Sequence, residues 1–185
     1  MKRTAITIAA VFTALAALPA SLWLAALLWP APQSYPAITP FSWQDTQAQW
    51  HSLSESQAPF TLLFLGFLSC QNVCPARLGE LAGIARTLPS GTVQVLYVTL
   101  EPNTDTPALR QRHIDSLGVK SGRLSPEALS QLRRELRDNS AAKSPAHHVN
   151  RVYLLHRSGK LAAVFNQQPL QAEAITQQLS TLSIL

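Results

Sequence analysis

A nearly unbroken apolar run, Phe60–Leu68 (F-T-L-L-F-L-G-F-L), has the length of a strand buried on both faces. It leads directly into Cys70-Gln71-Asn72-Val73-Cys74-Pro75. Pro75 lacks an N–H and disfavours α conformation at Cys74, so it fits the first turn of a helix and not its interior. Leu78, Leu81, Ala85 and Leu88 then recur at helical spacing until Pro89-Ser90-Gly91 stops them. Thr92–Leu100 is β-branched and mostly apolar, which predicts a second interior strand. After the turn Glu101-Pro102-Asn103-Thr104, Thr106 and Pro107 have the character of N-cap and first helical residue. That helix carries Leu109, Ile114 and Leu117 and closes at Gly118. Ser125-Pro126-Glu127 opens another helix, with Leu129, Leu132 and Leu136 on one face, and Asp138–Ala146 is a polar loop. Arg151–Leu155 and Lys160–Phe165 predict a hairpin about Arg157-Ser158-Gly159. Gln171–Leu182 predicts a closing helix with Ala174, Ile175, Leu179 and Leu182 inward.

The first part of the chain follows a different pattern. Ala5–Trp29 carries no charge, and as a helix it would span about 37 Å, enough to cross a ~30 Å hydrocarbon core with some tilt. Lys2 and Arg3 orient its N-terminus toward the cytoplasm, and Trp23 and Trp29 suit the far interface. Leu18-Pro19-Ala20 is an imperfect cleavage site, and the apolar stretch is long for a signal core, so an uncleaved anchor is favoured over a cleaved signal. Either way the remainder faces the periplasm or another extracytoplasmic space, where disulfides persist. Pro30, Pro32, Pro36 and Pro40 make a semi-stiff spacer. The expected organisation is an anchor over residues 1–30, a Pro-rich linker and lead-in over 31–59, and one domain over 60–185. In Phe41–Pro59 two aromatics, Trp43 and Trp50, are expected to pack in the core, with Ser52–Gln57 a polar loop.

The formal charge of +5 comes from scattered residues, with Arg133, Arg134 and Arg137 on a solvated helix face. Without a basic run interleaved with aromatics, nucleic-acid binding is not supported.

The chain has only two cysteines, and both lie at the strand–helix junction. A thiol at a helix N-terminus meets unpaired N–H groups and the positive end of the helix dipole, which favours thiolate. Thiolate is both the nucleophile of disulfide exchange and the soft ligand that selects Cu(I). A purely structural disulfide across so short a loop would be a weak staple. The order β-α-β-α-α-β-β-α with a dithiol at the first βα junction predicts an α/β, thioredoxin-like fold, a central mixed sheet flanked by helices.

Three segments carry a resemblance to the Sco/SenC family of membrane-anchored, thioredoxin-fold proteins associated with copper delivery to cytochrome c oxidase. Gly66–Pro75 is similar to the family's strand followed by C-x-x-x-C-P. Glu101-Pro102-Asn103-Thr104-Asp105-Thr106-Pro107 resembles its D-P-x-x-D-T-P turn. His148-Val149-Asn150-Arg151-Val152-Tyr153-Leu154 resembles its histidine five residues before a Tyr-Leu pair. The likeness runs from about Phe60 to Phe165, with the anchor. It implies copper ligands at Cys70, Cys74 and His148, and two soft thiolates with one imidazole suit copper in either oxidation state. His147 is a near twin. In extended chain the two side chains point to opposite faces, and the spacing to Tyr153 selects His148. A zinc site of Cys70, Cys74, His147 and His148 satisfies the ligand count, but adjacent histidines chelate one ion awkwardly. His51, His113 and His156 are read as ordinary solvated or edge residues.

Asp105 matches the family's second carboxylate in the turn, where capping the following helix is an equal reading. The chain departs from the family pattern at Glu101, Asn72 and His147, each in place of an aspartate, and no glycine-containing hairpin precedes the central strand. Two functions follow. One is a metallochaperone handing copper to an extracytoplasmic acceptor, such as the dinuclear copper centre of a cytochrome c oxidase subunit. The other is a thiol–disulfide oxidoreductase in which Cys70 and Cys74 act as a redox dithiol on a partner's cysteines. A three-residue spacer departs from the C-x-x-C of redox enzymes.

Overall fold

A computed structural model describes residues 36–69, 73–139 and 150–182. The anchor stretch, Cys70, His147 and His148 therefore lie outside the described residues. In chain order the elements are β1 (Ser42–Gln44), β2 (Trp50–Ser52), β3 (Phe60–Gly66), α1 (Val73–Thr87), β4 (Val93–Thr99), α2 (Pro107–His113), a 3-10 turn (Asp115–Leu117), β5 (Lys120–Gly122), α3 (Pro126–Glu135), β6 (Val152–His156), β7 (Leu161–Phe165) and α4 (Ala172–Leu182). Among the described residues no helix is long and apolar enough to cross a membrane.

The apolar run that heads the dithiol is the middle of a five-stranded sheet ordered β5-β4-β3-β6-β7. β3 pairs parallel with β4, Gly66 opposite Thr99, and antiparallel with β6, Phe64 opposite Val152. β4 and β5 are parallel, and β6 and β7 antiparallel. This is the predicted central mixed sheet. Leu62, Leu63, Phe64 and Leu65 of β3 are all buried, as a strand covered on both faces requires. Leu78 and Leu81 of α1, Leu129 and Leu132 of α3, and Ile175 and Leu179 of α4 close over it. The predicted Thr106 cap is present, and Ser125 caps the helix expected to open there. Thr106 Oγ1 accepts from Leu109 N at 3.3 Å, and Ser125 Oγ from Ala128 N at 3.2 Å.

Two features depart from the expectation. A hairpin, β1–β2, precedes the central strand, and it turns without glycine. Asp45 Oδ1 accepts from the backbone N–H of Gln47 (2.8 Å) and Gln49 (2.9 Å), and Ala48 takes a positive φ of 62°. The Asx turn organises what glycine would otherwise make easy. Trp43 is buried, but Trp50 is 64% exposed, so only one of the two tryptophans packs in the core. The second feature is β5, three residues too short to register in the sequence pattern. Its last residue is glycine because Trp43 lies against it: a Cβ on Gly122 would sit 2.7 Å from the indole. Gln44 and Arg123 exchange two backbone hydrogen bonds of 2.9 Å, fastening the hairpin beside this edge strand.

Candidate metal centre

Pro75 is the third residue of α1, so Cys74 lies in its first turn, as the proline requires. The Cys74 side chain is 2% exposed. It faces the end of β3, where Gly66 leaves room for it. A Cβ on Gly66 would lie 3.3 Å from Cys74 Sγ and 2.8 Å from Tyr97 Cε2. The strand's last position thus needs glycine for steric reasons, because thiol and phenol both approach its Cα.

Below this point sits Asp105, 2% exposed. Its carboxyl group accepts from Thr99 Oγ1 at 2.6 Å, from Tyr97 Oη at 3.0 Å, and from the backbone N–H of Leu68 at 3.1 and 3.2 Å. The helix-capping reading of Asp105 is therefore corrected: Thr106 caps α2, and Asp105 turns inward to tie β4 to the chain leaving β3. Glu101 makes a parallel tie, its carboxylate accepting from Ser69 Oγ at 2.9 Å. Leu68 and Ser69 immediately precede Cys70, so the whole Glu101–Asp105 turn is fastened to the approach to the first cysteine. Burial raises the Tyr97 pKa well above its ordinary value, with the Asp105 charge adding to it and Cys74 contributing further.

An open groove of about 540 Å³ adjoins Cys74 and Asp105. Its walls are largely apolar, from Leu68, Pro75, Leu78, Leu109, Ile114 and Leu117. Leu109 and Leu117 remain 37% and 39% exposed. The inward position next to Leu109 is taken instead by Arg110, 1% exposed. His113 lines the groove too, from an exposed position. The other two described histidines lie apart. His51 Nε2 meets Asp45 Oδ2 at 2.7 Å and stacks on Trp43, and His156 Nδ1 meets Ser158 Oγ at 2.7 Å. Among the described residues no three His, Cys, Asp or Glu side chains converge as a metal-holding group.

On the other side of β3, the chain that follows His148 is held by polar ties the sequence did not suggest. Arg77 of α1 is 0% exposed and donates from Nε to Asn150 Oδ1 (2.7 Å) and from Nη2 to the backbone carbonyls of Asn150 (3.3 Å) and Gln167 (2.8 Å). Its Nη1 meets Glu80 Oε2 at 2.6 Å. Tyr153 Oη donates to Asp138, 5% exposed, at 2.7 Å, and Arg151 Nη1 to the Arg137 carbonyl at 3.1 Å. Asp138, read as the start of a polar loop, is thus a buried acceptor.

The SCO1/SenC family model matches residues 30–183. The chain belongs to the SCO1/SenC family. A protein described as a putative copper-binding protein of Stutzerimonas stutzeri is 27% identical over 128 residues, covering 68% of this chain and 57% of that protein. The mitochondrial SCO2 homolog of Bos taurus is 27% identical over 152 residues, covering 74% of this chain and 56% of its own length. This SCO1/SenC chain therefore spans little more than half the length of these relatives. Yeast Sco1, solved with copper bound, superposes with a TM-score of 0.65 at 18% identity, covering 80% of this chain and 93% of that one. That likeness carries the fold: a central mixed sheet flanked by helices, thioredoxin-like as expected.

Proposed function

We propose that this SCO1/SenC chain is a copper metallochaperone. Cys70, Cys74 and His148 hold one copper ion as cargo and pass it by ligand exchange to an extracytoplasmic acceptor, the dinuclear copper centre of cytochrome c oxidase. The observation that carries the reading is the placement of Cys74: a buried thiol in the first turn of α1, against the end of β3, inside a family match that also includes Cys70 and His148. The donor set fits the cargo. Two thiolates are soft ligands that select Cu(I), and an apolar wall beside them limits competition from water. Three protein ligands leave a position open for the incoming ligand of an acceptor. Residues 1–30 anchor the domain in the inner membrane, and the Pro-rich spacer holds it on the periplasmic side.

The test is an anaerobic Cu(I) titration of the reduced protein against a competing chelator, with Cys70→Ser, Cys74→Ser and His148→Ala alongside. One copper per chain, abolished in either cysteine variant and weakened without His148, is the expected result. Wild type binding copper no better than the cysteine variants would end this reading.

A second reading is supported by the apolar groove beside Cys74, which is open enough to take an extended segment of another protein. As a thiol–disulfide oxidoreductase, one cysteine thiolate attacks a partner disulfide and forms a mixed disulfide, releasing one partner thiolate. The second cysteine then displaces the other, leaving the chain oxidised and the partner reduced to two thiols. The two functions are compatible, because a Cys70–Cys74 disulfide cannot hold the metal through thiolates.

A further inference from the structure

We propose that an arginine-lined cleft between α3 and the Glu101–Asp105 turn docks an acidic segment of the partner protein that comes to Cys74. The inference names the chemistry of that partner, and it rests on the reading above only in having a partner protein meet the thiol.

The cleft is open, about 850 Å³, and its walls include Pro102, Asn103, Pro126, Arg133, Arg134 and Arg137. Arg134 and Arg137 are exposed. Among the described residues the ion pairs are His51–Asp45 and Arg77–Glu80, so no carboxylate lies within 4.0 Å of either arginine. The neighbouring acids are turned elsewhere. Glu135 accepts from Thr39 N and Oγ1, each at 2.8 Å, Asp138 from Tyr153 Oη at 2.7 Å, and Glu101 from Ser69 Oγ at 2.9 Å. The carboxylates that stand beside the cleft in sequence are thus committed to uncharged donors.

A helix C-terminus attracts cations, which suits Arg133 and Arg134 in the last turn of α3. It does not account for Arg137. That residue stands just past the helix with a φ of 51°, where glycine is the least strained choice. Its carbonyl accepts from Arg151 Nη1 at 3.1 Å, which holds the backbone there, and its side chain lines the cleft.

The spread of the charges selects the ligand. Arg134 Nη1 donates to Ser130 Oγ at 2.8 Å, so this guanidinium reaches back one turn toward the start of α3. Arg137 lies at the opposite end, about 10 Å along the axis from Ser130. A single phosphate is gripped by donors that converge on it, whereas carboxylates on one face of an extended chain recur every ~6.7 Å. Cations strung along a helix match the second pattern. The cleft also borders the thiol's groove. Asn103 lines the cleft, and the next residue, Thr104, lines the groove beside Cys74. Both belong to the turn that Asp105 and Glu101 fasten to Leu68 and Ser69. A segment seated on the arginines therefore leads its neighbouring residues to the groove.

The test uses the full chain in an uncharged detergent and an end-blocked hexaglutamate peptide carrying an uncharged dye, read by fluorescence anisotropy. Hexaglutamate should bind, hexaglutamine should not, and added salt should weaken the complex. Arg134→Glu and Arg137→Glu should each weaken it about tenfold. Arg86→Glu makes the same charge change at an exposed residue ending α1, and should leave affinity within about twofold. Arg137→Gly, which suits the positive φ, should keep the fold and still weaken binding. A photo-crosslinker at the end of the peptide should label the wall of the Cys74 groove. No binding by wild type, or equal losses in Arg86→Glu and the cleft variants, would overturn the proposal. Displacement by millimolar inorganic phosphate or glycerol phosphate at matched ionic strength would also overturn it, making the cleft a small-anion or lipid-headgroup site. Crosslinks confined to surfaces away from the groove would do the same. None of these measurements involves copper, so failure of the metallochaperone reading shows in the Cu(I) titration and failure of this one in the anisotropy.

Discussion

The two sides of β3 are held in opposite ways. On the cysteine side one buried carboxyl group gathers three donors, from Thr99, Tyr97 and Leu68, and of the four residues only Leu68 is partly exposed. On the histidine side the work is divided among Arg77, Asp138 and Arg151, and several partners are partly solvated: Asn150 is half-buried, and the Glu80 side chain is 21% exposed. A network that excludes water leaves its members unpaired when one is removed, whereas water can substitute for a lost partner at a half-exposed one. The cysteine side should therefore respond to substitution as a unit, and the histidine side one tie at a time.

The sharpest way to break this contrast is Asp105→Ala. It strands two buried hydroxyls and the partly buried Leu68 N–H, and on the order of 3–4 kcal/mol of stability should be lost, read as a lower urea midpoint. A cost no larger than that of a single exposed hydrogen bond would show that the cysteine side is not cooperative. Gly66→Ala is the steric counterpart. Its new Cβ meets the buried Tyr97 ring at 2.8 Å, so overpacking of about 1–3 kcal/mol is expected in the same unfolding measurement. The smallest effect is on the histidine side. Tyr153→Phe removes one hydrogen bond to Asp138 and should cost about 1 kcal/mol at neutral pH. It should also change the alkaline limb. Burial, then the Asp138 charge, raises the Tyr153 pKa above its ordinary value near 10. The folded chain keeps a proton that the unfolded chain releases. That contribution is full below about pH 10 and lost as pH rises through the folded pKa. In Tyr153→Phe the fall of stability above pH 10 should be shallower, with the remaining fall belonging in part to Tyr97; an unchanged slope would refute the assignment.

The strand–dithiol–helix unit was legible because apolar length, Pro75 and helical periodicity all agree, and two further helix starts were legible from Thr106-Pro107 and Ser125-Pro126. The hairpin β1–β2 was not, since its turn relies on the Asp45 side chain where a glycine would have announced it. Strand β5 has too few residues to show a period, and its burial at Ser121 and Gly122 depends on Trp43 arriving from elsewhere in the chain. At the site, the sequence nominated Cys74 by type and position, but offered helix capping as one reading of Asp105, which the fold overturns, and passed over Arg77. Charged residues are mostly exposed, so in a sequence a lone Arg or Asp reads as surface. Only the fold shows that their acceptors and donors come from segments distant in the chain, Arg77 from Asn150 and Gln167, Tyr153 from Asp138.

The sheet order also fixes when these ties can form during synthesis. β3 pairs with β4 after a short βα crossover, so the strands that meet at Gly66 and Thr99 are among the early products of the ribosome. Its other neighbour, β6, is made only after α2, β5 and α3 have emerged. Contacts across such sequence separations carry a loop-closure cost and form late. A nascent chain therefore carries α1 well before Asn150 exists to be gripped by Arg77, and that tie waits for one of the last strands to dock.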